Sequence, residues 1–508
     1  MRNIFLLAIL IPSFVLSQSP EIIKVKQYAA EKQHEIMGSY VQLLAIPNIA
    51  SDIKNIQRNA DWIANHMRSK NISNVQLLYP ITPNKPPVVY GEVITPGAKE
   101  TIIFYAHYDG QPVDSTKWSK ELHPFKPMLL DGALDKGGKV IEWPANGTAF
   151  NPMWRIYGRG ASDDKGGVMS IIEAYASIES LKLKPTVNIK FFFEGEEEAG
   201  STHLEEVLTK YKSILSSDMW VICDGPVHQS GKKQVVFGVR GDTHLELTVY
   251  GPKRPLHSGH YGNWVPNPAL ELSRLLTSMK DINGDVTIKG FYDDVTPLTT
   301  AEKEALAKVP SVDAQMKNEL GFRTPERPTS LNISLNMPSL NINGIQSAGV
   351  GDKSANVIPT KAIASIDLRL VLGNDWKRQQ DKVVDHIKSQ GFFVTENEPT
   401  DEQRLMHDKL CKIVRSDGYN AQKTSLDNPF AKRISQAVAS TSGEQPILMP
   451  TLGGSLPLSV FEKVLKTQPV TVPIANHDNN QHAENENIRL KNFFEGIETF
   501  ASIMMLPK

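Results

Sequence analysis

Three almost uninterrupted apolar runs, each closed by acids or a histidine, constrain this chain more than any other feature. They are TIIFYA (residues 101–106), VNIKFFF (187–193) and MWVIC (219–223). Short runs without a polar face fit strands buried on both sides, as in a sheet covered by helices on each face. Between the first two, Val168, Ile171, Ile172, Tyr175 and Ile178 recur at helical spacing after a Gly-rich turn. The pattern predicts an α/β class with a mostly parallel sheet, flanked by further helices around residues 20–45, 52–69 and 488–505. Open sheets of this kind bind ligands at the C-terminal ends of their strands. There the chain places His107-Tyr-Asp109, Glu194-Gly-Glu196-Glu197-Glu198 and Asp224.

Composition removes several function classes. Across 508 residues, 55 Lys and Arg balance 56 Asp and Glu for a net charge of −1, so the basic excess of a nucleic-acid binder is missing. Two cysteines, Cys223 and Cys411, build neither a disulfide framework nor a cysteine-held zinc site. A metal would have to be held by His and carboxylates. Residues 1–17 read as a cleaved signal peptide, with Arg2 ahead of the apolar stretch Ile4 to Leu16 and small or apolar residues before Gln18. No other stretch approaches the ~20 apolar residues of a membrane span. The expected location is therefore secreted or periplasmic.

After Arg240-Gly241 the texture changes. THLELTVY (243–250) and AIASIDLRLV (362–371) alternate strictly, as strands with one solvated face do. Helices are expected near Leu270 to Met279 and Asp375 to Lys388, with an irregular Pro- and Asn-rich stretch over 290–345. This predicts an α+β lid or dimerisation domain at 242–395, inserted into a catalytic domain formed by 18–241 and 396–508.

Taken singly, the polar clusters have ordinary explanations. His107 and Asp109 could be a core pair, although residues two apart on a strand share a face and a carboxylate can fix a ligating imidazole. The turn GRGASDDKG (158–166) lacks a phosphate-loop pattern, and its paired acids suit a helix N-cap or a cation. The acid run 194–198 could be a solvated edge, and Asp224 a turn residue.

Their order is what carries information. HYDGQP, Trp118 with Pro124-Phe125, GRGASDDKG, EGEEEAGS and His257-Ser-Gly-His-Tyr-Gly262 resemble the di-zinc metallopeptidase family of carnosine dipeptidases, aminoacylases and glutamate carboxypeptidases, nearest to the dipeptidase branch. The resemblance implies a zinc-peptidase-like mixed sheet and two divalent ions, zinc first, with manganese or cobalt as alternatives. It implies His107 and Asp224 on one ion, Glu198 and His482 on the other, and Asp163 bridging both. His482 is chosen through His-Ala-Glu-Asn485-Glu486, with His477 as its rival. A cis peptide is implied after Asp163.

The same resemblance makes Glu197 the general base for a metal-activated water and Asp109 a catalytic support for His107. Asn356, Arg369 and Ser455 become contacts to a substrate with a free C-terminal carboxylate. His257 would reach the active site of the partner in a homodimer and stabilise the oxyanion. The implied activity is hydrolysis of dipeptides or short peptides, with N-acyl-amino-acid deacylation as the alternative. Two departures bear on this. An extra stretch from Leu130 to Pro152 is expected beside the metal loops, and a histidine that some carnosine-type members carry ahead of the helix near Asn428-Pro429 is missing.

Overall fold

The computed structural model describes residues 18–507, so the expected signal peptide at 1–17 lies outside the described residues. Eight strands form the first sheet, in the order Ser73–Leu78, Val88–Val93, Asn188–Glu194, Thr101–His107, Met219–Ile222, Pro469–Thr471, Gln234–Val236 and Ile447–Met449. The three apolar runs are its adjacent central strands, and they are mutually parallel. The two leading strands are antiparallel to each other, and Val88–Val93 is antiparallel to Asn188–Glu194, so the sheet is mixed.

Both faces of the centre are dry because successive side chains alternate across a strand. Ile102, Phe104 and Ala106 enter the core under helices Lys165–Ser180 and Leu490–Met504. Ile103 and Tyr105 face the opposite core with Leu204, Val207 and Phe461, from helices Leu204–Lys210 and Ser459–Leu465. The expected helix at 20–45 is two, Pro20–Glu31 and Gln33–Leu44, separated at Lys32.

A second sheet runs in the order Ser339–Gln346, Lys361–Leu370, Gly238–Tyr250, Leu410–Arg415 and Phe393–Thr395. Leu245, Leu247 and Val249 alternate into a separate core with Leu272, Leu275, Val383 and Ile387 from helices Pro268–Thr277 and Trp376–Ser389. Two expectations change here. The stretch 290–345 holds helices Thr300–Ala307 and Asp313–Leu320 and the edge strand Ser339–Gln346, whose polar outer positions hid its period. Leu410–Arg415 also pairs with Gly238–Tyr250, so the second sheet runs past the expected boundary at 395/396. Cys223 and Cys411 lie in different cores, and both are free thiols.

The start of the extra stretch Leu130 to Pro152 packs on the strand that leads into the Gly-rich turn, as expected, and its end is held by the first helices. Met128–Leu130 pairs with Arg155–Tyr157, which pairs with Asn487–Arg489. Phe150 N–H donates to Gln33 and the carbonyl of Thr148 lies 2.9 Å from His34 Nε2, so the stretch anchors to helix Gln33–Leu44. No helix among the described residues is long and apolar enough to cross a membrane.

Phe191 is fully buried and packs edge-on against Tyr175. Phe191→Ala should cost about 3–5 kcal/mol and lower the thermal unfolding midpoint. An unchanged midpoint would show that this strand does not carry the core.

Candidate active site

Register explains why the polar clusters converge. His107 is paired with Glu194 and Tyr105 with Ile222 across parallel neighbours, so all three strands end at one level. The chain then turns, leaving His107, Asp224 and the acid run on a common rim. Glu197–Ala199 is a single 3-10 turn closed by Gly200 at φ +86°, a conformation glycine adopts without steric cost.

At the centre sits Asp163. Its Oδ1 is 3.0 Å from His107 Nε2, and its Oδ2 is 3.1 Å from His482 Nε2. His107 Nε2 is also 3.8 Å from both Glu197 Oε2 and Asp224 Oδ2. His482 Nε2 is 3.3 Å from Glu198 Oε2, which also accepts from Gln111 Nε2 at 2.7 Å. The five expected ligands and Glu197 are thus brought together. The rival His477 instead lies 4.0 Å from Glu319. The peptide bond after Asp163 is cis. Asp164, not Asp163, caps helix Lys165–Ser180 by accepting from Gly167 N–H.

Supporting groups fix these side chains. Asp109 accepts the backbone N–H of Glu197 and of Glu198 at 3.1 and 3.0 Å, and its Oδ1 is 3.4 Å from His107 Nδ1. One buried carboxylate therefore ties the imidazole to the acid loop. Glu486 does the same for the Gly-rich turn. It accepts five hydrogen bonds, from Arg159 Nη1, Gly160 N, Ser162 N, Ser162 Oγ and Asp163 N. In the sequence Glu486 marked only the motif after His482. Its role as a clamp was missed because no local pattern links it to a turn so far away in the chain.

The electrostatics suit a cation. Burial would push Asp163 up, but the hydrogen bond from His107 and the close approach of the His482 imidazole hold it well below the usual carboxylate range. Burial and the Asp163 charge push Glu198 up to about 11 and Asp224 up to about 7. Asp163 Oδ2 is buried without a hydrogen-bond partner among the described residues. Acids pressed together with an open lone pair and two imidazoles form a nitrogen–oxygen donor set that fits divalent ions. At the rim two groups, His107/Glu197/Asp224 and His107/Asp163/Glu198, each bring donor atoms within 4.8 Å of one another.

The cluster opens into a cavity of about 910 Å³ also lined by Arg369, Ser455, Asp242, His244 and Tyr419, with Leu335 and Leu452 on an apolar wall. No residue of 130–152 lines it, so the extra stretch does not reshape it. His257 and Asn356 lie elsewhere. Both are exposed, His257 on a two-residue strand and Asn356 just ahead of its partner strand, where Ser258 N–H donates to the Asn356 carbonyl at 2.9 Å and His257 faces Val357.

A rim of His and carboxylates able to hold paired divalent ions beside an arginine-bearing cavity defines a metal-dependent hydrolase. The chain belongs to Peptidase family M20/M25/M40, whose family model matches residues 103–506. It is 27% identical to human Beta-Ala-His dipeptidase over 83% of this chain and 77% of that protein. It is 26% identical to Cys-Gly metallodipeptidase DUG1 of Candida albicans over 91% of this chain and 92% of that one. Among solved structures, an M20 family metallo-carboxypeptidase from Sulfolobus solfataricus superposes with a TM-score of 0.76 at 27% identity, covering 93% of this chain and 99% of that chain.

Glu486→Gln should weaken divalent-metal binding by about 10–100-fold, the range for a lost outer-shell partner. Titration calorimetry on chelator-stripped protein reads this directly. Unaltered metal uptake would mean that the clamp does not set Asp163.

Proposed function

We propose that this chain is a two-metal dipeptidase acting on dipeptides or short peptides with a free C-terminal carboxylate. One observation carries the reading: the cavity that holds Asp163, Glu197, Glu198, Asp224 and His482 is also lined by Arg369 and Ser455. A guanidinium is the side chain best matched to bidentate capture of a carboxylate. The relatives named as dipeptidases support the same substrate class.

His107 and Asp224 would hold one ion, Glu198 and His482 the other, with Asp163 between them. When bound, such ions polarise a carbonyl and lower the pKa of water towards about 7. Glu197, beside both groups, takes the proton from the attacking water and returns it to the leaving amine. Asp109 keeps His107 and the acid loop in place. Arg369 and Ser455 orient the substrate by its carboxylate end. Zinc is the favoured metal because imidazole and carboxylate at few positions suit it, with manganese or cobalt as substitutes.

His257 and Asn356 are neighbours on an exposed surface outside the cavity, which supports a homodimer in which each copy lends them to the other. His257 would then stabilise the oxyanion. Export through residues 1–17 would place the enzyme outside the cytoplasm.

Glu197→Ala should keep its metal content and lose about 10²–10⁴-fold in kcat. Hydrolysis at the wild-type rate would sink the mechanism. Mixing Glu197→Ala subunits with His257→Ala subunits should restore part of the activity, because one site of the mixed dimer is then intact. Mixtures as inactive as their parents would remove the shared site. Assaying dipeptides beside N-acetyl amino acids tells a dipeptidase from a deacylase.

A further inference from the structure

Strands Gly238–Tyr250 and Lys361–Leu370 run antiparallel with Asp242 opposite Arg369 and His244 opposite Asp367. Residues two apart on a strand share a face, so two carboxylates close on one guanidinium. Arg369 Nε donates to Asp367 Oδ2 at 3.1 Å, and its Nη1 lies 3.5 Å from Asp242 Oδ2. His244 Nε2 is 3.2 Å from Asp242 Oδ2, and its Nδ1 is 3.8 Å from Asp367 Oδ1. The group could be mistaken for a metal site. However, Arg369 already supplies the cation, so the arrangement is an ion-pair cluster.

The two acids are crowded together: one oxygen of each lies within 4.8 Å of the other and of His244, and Asp242 Oδ1 and Asp367 Oδ1 are both buried without a hydrogen-bond partner among the described residues. Two ionised carboxylates so placed repel and have no donor between them, so a proton on one of the pair relieves the repulsion and supplies the missing donor. Other charged or titratable groups face the pair from each neighbouring element. Arg240 lies on the strand of Asp242, and Tyr419 comes from the loop whose backbone exchanges two 3.0 Å hydrogen bonds with Asp242. Glu197 acts on Tyr419 from the metal rim. Burial and the neighbouring Asp367 carboxyl push Asp242 up to about 6, although Arg369 and His244 pull it down.

We propose that Asp242 and Asp367 are positioning residues for Arg369 that hold one proton between them, so that Arg369 captures the substrate carboxylate best while that proton is in place. This rests on the reading of Arg369 as the carboxylate-binding residue. With the proton, one negative charge faces the guanidinium and an N–H edge is free for substrate. Without it, a second full charge competes for the same donors and repels the incoming carboxylate. A raised acid is protonated below its pKa and loses the proton above it, so binding weakens as pH rises through about 6. The effect falls on KM, because the pair touches the carboxylate-binding Arg369 and makes no hydrogen bond to Glu197.

The test is the KM of the metal-loaded enzyme for alanyl-leucine between about pH 5 and 7.5, below the range of the substrate's amine. The wild type should show KM climbing by up to about tenfold per pH unit above the transition. Asp242→Asn gives Asp367 a permanent donor and should hold KM flat. Asp367→Asn serves if the first variant does not fold, with the same expectation. A flat wild-type KM, a climb retained in the variants, or a constant offset at every pH would overturn the proton coupling. Alanyl-leucinamide has no carboxylate and should bind weakly with a flat profile. If the amide instead matches the free acid throughout, the reading of Arg369 itself fails, a result distinct from failure of the coupling.

Discussion

Everything at the rim depends on holding one carboxylate between two imidazoles. Asp163 faces His107 with one oxygen and His482 with the other, and these histidines come from opposite ends of the chain. Such a carboxylate would swing away if left on an unsupported turn. Glu486 prevents that by collecting four donors of residues 160–163, with Arg159 balancing its charge at 2.8 Å. Burying a carboxylate is costly unless it is paired and fully hydrogen-bonded, and Glu486 meets both conditions. The stability of the turn and the placement of Asp163 thus have the same origin.

The sheet supplies the rest by register. Three parallel strands that end level need only short turns to aim His107, Glu197, Glu198 and Asp224 at a common point. Asp109 then links two of those turns through the backbone amides of Glu197 and Glu198. The like charges gathered there are tolerated at the rim because the buried strands behind them are fixed on both faces. A pair of dications would reverse the upward push on Glu198 and Asp224.

Much of this was legible in the sequence, for physical reasons that differ by element. Apolar runs such as VNIKFFF announce a doubly covered strand, and an acid run directly after one has few places to go but a sheet edge. The strand Ser339–Gln346 was not legible because it is an edge strand with polar outer positions and a register irregularity between Ile342 and Gly344. The end of the second sheet at Leu410–Arg415 was hidden because a pairing partner far back in the chain leaves no local trace. Glu486 and the Asp242–Asp367 pair escaped for the same reason. Each gains its meaning only from residues that folding brings alongside it. The distance of His257 and Asn356 from the cavity likewise follows from tertiary placement, which the motif around His257 does not encode.

The strand Gly238–Tyr250 belongs to both halves of the molecule. Its first residues pair with Gln422–Lys423 and Leu452–Ser455 beside the cavity, and its later ones form the middle of the second sheet. Arg240 and Asp242 are thus carried on the same beam as Leu245, Leu247 and Val249. Torque applied to the second sheet, by repacking its core or by docking against its surface, is transmitted along that beam to the end of the cavity where Arg369 sits. The metal rim rests on the ends of a different set of strands. Grip on the substrate and loading of the ions can therefore drift apart over evolution, each tuned by its own core.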